Sequence, residues 1–212
     1  VDNFPGAGQG NVYVASRRFG GTGGGPGLYL FRSTDGGATF GPTGGTLLAG
    51  GSPTGGNVVV GPDHSVYVFW LVPTAGNDSI VMRRSTDGGI TFAAPVTLVA
   101  NLVGGANGDL GLTGLRQGTT VFAGFRSDSL PHPAVNPVNG HLYVTYNNDA
   151  AGVDKADVLM VQSTNNGATW SAPVRINDDA TTTDQWMPTI AVTPDGSRLG
   201  VFYYSRQEDA AG

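Results

Sequence analysis

The sequence predicts an all-β fold assembled from repeated four-stranded antiparallel sheets. Three observations carry that expectation. Apolar runs are short and rich in Val, Thr, Tyr, Phe and Trp, residues that suit a pleated, half-buried surface. Gly (35 residues) and Pro (13) punctuate those runs without a period of their own, which marks tight turns and fits neither collagen nor disorder. The chain also repeats itself internally, with no stretch beyond about ten residues holding helical periodicity.

The repeat has two parts. Ser33-Thr34-Asp35-Gly36-Gly37-Ala38-Thr39-Phe40, Ser85-Thr86-Asp87-Gly88-Gly89-Ile90-Thr91-Phe92 and Ser163-Thr164-Asn165-Asn166-Gly167-Ala168-Thr169-Trp170 share the pattern S-x-[DN]-x-G-x-T-[FW]. The third-position carboxylate or amide can accept hydrogen bonds from backbone N–H groups of a tight turn. The fifth-position glycine can adopt positive φ, and the closing aromatic can fold onto a core between sheets. The second part is a strand–turn–strand unit: Val59–Val68, Val135–Val144 and Ala191–Val201 resemble one another, with Asn139-Gly140 and Asp195-Gly196 as hairpin signals. Asn11–Val14 matches only the second half of that unit.

In chain order, strands are expected at 11–16, 27–32 and 44–49; at 56–60, 65–71, 79–84 and 95–99; at 132–136, 141–146, 157–162 and 172–176; and at 188–193 and 198–204. Equivalent second strands are 54 residues apart (Tyr13 to Tyr67), then 76 (Tyr67 to Tyr143), then 57 (Tyr143 to Gly200). The long interval implies an insertion at about 103–128, with a strand of its own near Thr119–Phe125. The expected units are a first blade at about 1–50, a second at 51–102, a third at 129–178 and part of a fourth at 179–212.

These turns are identified as Asp boxes, and the whole chain resembles the sialidase-like (BNR, Asp-box repeat) β-propeller family. The resemblance implies an Asp-box propeller of four-stranded antiparallel blades, of which this chain covers about 3.3. Such a partial ring needs further blades, from a longer chain or from other copies. The structural box residues are Ser33, Asp35, Gly37, Phe40, Ser85, Asp87, Gly89, Phe92, Ser163, Asn165, Gly167 and Trp170.

The formal net charge of −5, with a single lysine (Lys155), leaves no basic stripe for phosphates and argues against a nucleic-acid partner. No apolar run approaches the roughly 20 residues of a membrane span. Cysteine is absent, which excludes disulfides and thiolate chemistry. This composition suits a secreted, extracellular bacterial protein.

Blade topology puts the first-to-second-strand hairpins and the boxes on one face. Loops joining second to third strands, and one blade to the next, share the other face, where sialidase-like propellers bind their ligands. That face collects Arg17, Arg18, Trp70, Arg126 and Arg206 as candidate ligand-binding residues. Arginines from three blades could grip a carboxylate bidentately, as the resemblance implies for sialidases, or each could pair with an aspartate of its own loop. Candidate catalytic residues are Asp149, Asp184, Tyr204, Glu208 and Asp209. Two-carboxylate hydrolysis needs an acid pair across a cleft, and no pair is singled out. The family's F-R-I-P motif is missing, since Phe31-Arg32-Ser33-Thr34 opens a box. Its tyrosine–glutamate couple has only Tyr203 or Tyr204 with Glu208 to fill it. Calcium is the one candidate cofactor, at Asp149, Asp154 and Asp157 or at Asp178, Asp179 and Asp184, which offer hard oxygen ligands without EF-hand spacing. His64, His132 and His141 lack zinc-site spacing and read as turn or surface residues. Asn77-Asp78-Ser79 is a glycosylation sequon, meaningful in a eukaryotic secretory protein. Two functions remain open: a glycan-binding or scaffold module without a complete catalytic site, and a glycoside hydrolase acting on acidic glycans.

Overall fold

A computed structural model describes residues 1–21, 24–74, 78–103, 129–148 and 156–208. Arg126, Asp149, Asp154, Asp209, the sequon's Asn77 and nearly all of the expected insertion lie outside the described residues. Four small antiparallel sheets form an all-β, partial propeller-like architecture with no closed ring. Sheet one is β1 (Val12–Arg18), β2 (Gly27–Ser33) and β3 (Gly41–Gly50). Sheet two is β4 (Thr54–Val60), β5 (Val66–Val72), β6 (Asp78–Ser85) and β7 (Val96–Leu102). Sheet three is β8 (His132–Val135), β9 (Leu142–Asn148), β10 (Asp157–Ser163) and β11 (Val174–Arg175); sheet four is β12 (Gln185–Val192) with β13 (Leu199–Ser205). The expected strand at 172–176 shortens to β11, because Pro173 has no N–H to give a ladder. The strand expected at 188–193 begins earlier, at Gln185, through a bulge at Met187, whose φ is 50°.

The sheets stack face to face, and β5 shows why. Its residues alternate sides with a period of two. Val66, Val68 and Trp70 enter a core shared with Tyr13, Leu28, Leu30 and Leu48 of sheet one. Tyr67, Phe69 and Leu71 enter a second core with Leu142, Val144, Tyr146 and Val161 of sheet three. Both sides of β5 are therefore buried, which explains a strand apolar at nearly every position.

The three repeated turns are built alike. Ser33 Oγ accepts from the Gly37 N–H (2.8 Å), and Asp35 accepts from the Thr39 N–H (2.9 Å) and hydroxyl (2.6 Å). Ser85, Gly89, Asp87 and Thr91 repeat that arrangement. Asn165 accepts from the Thr169 N–H at 2.9 Å and donates its amide to the Thr169 hydroxyl at 2.8 Å, so the amide serves as the carboxylate does. Gly37, Gly89 and Gly167 have φ of 95°, 82° and 81°, conformations that favour glycine. Trp170 packs edge-to-face on Phe69 of sheet two (centroids 6.0 Å apart, 86° between planes). Phe92 packs against the core between sheets one and two. Phe40, expected to behave likewise, is 45% exposed: each closing aromatic packs on the preceding sheet, and among the described residues none precedes sheet one.

Residues 2–11 are a fourth copy of the first-to-second-strand turn. The Asp2 N–H donates to the Asn11 carbonyl (2.8 Å), as Asn136 does to His141 and Thr193 to Arg198. The Gly10 N–H returns to the Asp2 carbonyl (2.9 Å), as Gly140 does to Asn136. Asp2, fully buried, also meets Nδ1 of His64 at 2.8 Å. That contact raises the imidazole pKa above its ordinary value, against the opposing effect of burial. His64, itself at φ 61°, thus joins one sheet's turn to the next, as Asn136 joins its turn to the Gly196 carbonyl (2.9 Å).

Candidate functional site

The first strands β4, β8 and β12 neighbour one another on the inner side of the stack, and β1 packs on β4. Register aligns Val60, Val135 and Val192 at the last positions of these strands, which makes Asn57, His132 and Thr189 equivalent near their beginnings. Two of the three strands are bulged just before that point, at Gly55 (φ 65°) and Met187. Bulges of this kind re-aim side chains next to functional sites. Asn57 donates to the Pro131 carbonyl of the next sheet at 2.9 Å. Burial lowers the His132 pKa below its ordinary value. No carboxylate occupies these equivalent positions among the described residues.

Four described carboxylates in the outer loops of the same face, Asp78, Asp157, Asp179 and Asp184, are engaged. Asp184 accepts from Arg206 Nη1 at 3.3 Å, both side chains being buried, and its carbonyl accepts the Arg206 N–H at 3.1 Å. Asn177 is a hub: its amide donates to Asp157 (2.7 Å), Asp179 (2.9 Å) and Gln185 (2.9 Å), while its oxygen accepts the Val158 N–H at 2.9 Å. Burial would raise the Asp179 pKa, but hydrogen bonds from Thr181 and Asn177 outweigh it and lower the value. Asp78 accepts from the Thr74 N–H at 2.8 Å. Asn147 accepts from the Met187 N–H at 3.2 Å and so braces the β12 bulge.

The candidate residues are therefore only partly brought together. Asp184 meets Arg206. Arg17 lies over the Phe19 ring (4.4 Å), and Arg18 lies over Tyr29 (4.2 Å) and donates to the Gly44 carbonyl (2.9 Å). Arg17 and Arg18 thus contact aromatic rings, and Arg206 an aspartate. Tyr204 stacks on Trp186 (5.8 Å, 19°), and Glu208 accepts from its neighbour Gln207 at 3.4 Å. Burial, followed by the nearby charges of Asp178 and Asp179, raises the Tyr203 pKa, opposite to the shift that would ready a nucleophile. Of the calcium candidates, Asp149 and Asp154 lie outside the described residues. Among the described residues no three His, Asp or Glu side chains gather to hold a metal, because Asp184 turns to Arg206 and Asp179 to Asn177 and Gln185.

One cavity opens on this face, between sheets one and two. It measures about 550 Å³ and is lined by Pro53, Trp70, Pro73, Val81, Pro95 and Thr97, among others. The Trp70 indole N–H is buried and finds no hydrogen-bond partner among the described residues. Sequence reasoning singled out Trp70 but not the three prolines around it, which are brought together only by the stacking of two sheets. No described helix is long and apolar enough to cross a membrane.

A stack of small antiparallel sheets, with loops gathered on one face and inner strands meeting near an axis, defines a partial propeller-like fold. Solved structures bear the same architecture. The chain is similar to the α-L-arabinanase of Penicillium chrysogenum (14% identity, TM-score 0.60), over 99% of this chain and 62% of that one. It is similar to the α-L-arabinofuranosidase Arb93A of Fusarium graminearum (14%, 0.59; 92% and 53%). A protein of unknown function from Dyadobacter fermentans also resembles it (18%, 0.57; 92% and 59%). The likeness is one of fold, and the chain spans less than two thirds of each of these structures. No family model and no curated protein sequence matches it.

Proposed function

We propose that this chain is part of an extracellular Asp-box propeller that binds glycans without hydrolysing them, its ligand entering the cavity beside Trp70. One observation carries the reading: Asp78, Asp157, Asp179 and Asp184 of the candidate face are all committed to internal donors. Most glycosidic hydrolysis uses two carboxyls facing each other across the sugar, sialidases replacing one by a tyrosine, whereas binding requires a concave apolar site with a few polar groups. The cavity supplies apolar walls, Trp70, Val81 and three prolines among them, with the Thr97 side chain as a polar group. The folds of an arabinanase and an arabinofuranosidase make arabino-oligosaccharides the first ligands to try, with sialyl-lactose as the acidic alternative.

The test is calorimetric titration of both sugars, followed by chromatography of the incubated mixture. Binding heat without product supports the reading, as does loss of binding in Thr97→Trp, which fills the cavity from an exposed position. Released monosaccharide would favour the hydrolase instead. Absence of any glycan binding would leave a scaffold.

A further inference from the structure

The repeat places one arginine twice and its counter-ion once. In sheet two Arg84 stands opposite Tyr67 on the paired strand; in sheet one Arg32 stands opposite Tyr13, and in sheet three Gln162 stands opposite Tyr143. The Arg84 guanidinium donates to Asp63 at 2.8 Å and to Ser65 at 2.8 and 3.1 Å, both residues of the turn before β5. Asn11 holds the place of Ser65, because the Asp2 and Gly61 N–H groups donate to their carbonyls, and Val12 and Val66, next in the chain, pair with Ser33 and Ser85. Nothing holds the place of Asp63. The longer turn at 2–11 has Asp2 as its one carboxylate, fully buried and engaged by His64 and the Phe4 N–H. Among the described residues Arg32 is left with one long bond, to the Gly88 carbonyl at 3.4 Å.

Arg32 and Asn11 both line a cavity of about 470 Å³ between sheets one and two, within the range of small-ligand sites. Gln9 and Thr86 add further polar groups to its wall. Asp87 and His64 also border it, but Asp87 accepts from Ser85, Ile90 and Thr91, and His64 is held by Asp2. The guanidinium is thus the charge in this cavity that lacks an opposite partner among the described residues.

We propose that this cavity binds a small hydroxylated acid, such as a uronic acid, whose carboxylate takes the place beside Arg32 that Asp63 takes beside Arg84. A guanidinium fork grips a carboxylate bidentately, and Asn11, Gln9 and Thr86 meet the hydroxyls of the ligand. The site lies among the repeated turns and shares no lining residue with the cavity beside Trp70, so it stands or falls independently of glycan binding there.

Titration of the ¹⁵N-labelled chain with sodium galacturonate tests it, with galactose as the neutral counterpart and sodium chloride as the control for ionic strength. Galacturonate is expected to shift the Arg32 Nε–H and the Thr86 and Gly88 amides saturably, while galactose and chloride leave them nearly in place. Arg32→Gln, a change to the residue type that sheet three carries at the equivalent position, should keep the folded spectrum and weaken galacturonate binding about 30-fold or more. Asn11→Asp offers the guanidinium an internal carboxylate at the place of Ser65, and should weaken binding likewise with the arginine still present. The absence of any saturable shift overturns the proposal. Galacturonate binding that survives either variant, or galactose or chloride moving the same resonances as far, overturns it equally.

Discussion

Sheet two and sheet four are built to one plan and differ in how they are covered. The central strand of sheet two buries both faces, Val66 to Leu71 all being 2% exposed or less. The matching strand of sheet four leaves Phe202 and Tyr204 at 70% and 57% exposure. The hydrogen-bonded register is nevertheless the same, pairing Val60 with Val66 and Val192 with Leu199. Register is therefore a property of the hairpin, set by its turn and its alternation, while burial belongs to the junction between sheets. An apolar residue in this repeat is stabilising only when a neighbouring sheet lies across it.

The largest test of that comparison substitutes equivalent residues. Phe69→Ala is expected to destabilise the chain by about 3–5 kcal/mol, since it opens a cavity under Trp170. Phe202→Ala should stay within about 0.5 kcal/mol. Urea unfolding of both variants measures the contrast, and equal losses would break it.

A smaller contrast separates two turn glycines. Gly167 has φ 81°, and a Cβ there would overlap the Met82 methyl across the junction. Gly36 has φ 71° with open space around it. Gly36→Ala should therefore cost only the backbone term, about 1–2 kcal/mol. Gly167→Ala should cost about 2–5 kcal/mol, because crowding is added. The same unfolding assay reads both.

Acid gives the smallest effect. Hydrogen bonds from Ser33 and Thr39 hold the Asp35 pKa well below its ordinary value, and those from Thr91 and Ser85 do the same for Asp87. Asp195 is held at about 2, chiefly by Thr193 and Ser197. A carboxylate with a depressed folded pKa contributes its full stability above the unfolded pKa near 3.9 and loses it as pH falls through the folded one. Asn165 carries no such proton. The Thr39 and Thr91 amide resonances should stay in place through about pH 4 and move only in stronger acid, near or below about pH 2, while that of Thr169 holds still throughout. Asp87→Asn should remove the acid response of its own turn.

Much of this fold was legible in the residues. Every observed strand lies within three residues of its expected place at the ends that differ most, as for Gln185 and Gly41, because alternating apolar runs bounded by glycine turns are local signals. The turn at 2–11 was not legible. It makes the same backbone hydrogen bonds as 136–141 but is longer, so spacing conceals the equivalence that geometry reveals. The bulge at Met187 was hidden for a related reason, since positive φ at a methionine has no signature in sequence. The candidate site was legible as a list and not as an arrangement. Arg17, Arg18 and Arg206 stood out as cations, yet their partners Phe19, Tyr29 and Asp184 were decided by sheet packing and loop closure. Asp179 and Asp184 make the same point, since the amide of Asn177 and the guanidinium of Arg206 engage their oxygens through contacts that only the folded loops create.

The most direct measurement is a ¹⁵N–¹H correlation spectrum of the three tryptophan indoles during titration with arabino-oligosaccharide. Trp170 donates to the Gly167 carbonyl at 3.2 Å and serves as the internal reference, while Trp70 lines the cavity and its indole responds to what fills it. Glycan binding without turnover predicts a saturable shift of the Trp70 indole, a still Trp170, and sugar resonances that remain those of the intact oligosaccharide. A Trp70 signal that never moves, or the growth of monosaccharide resonances, would contradict it.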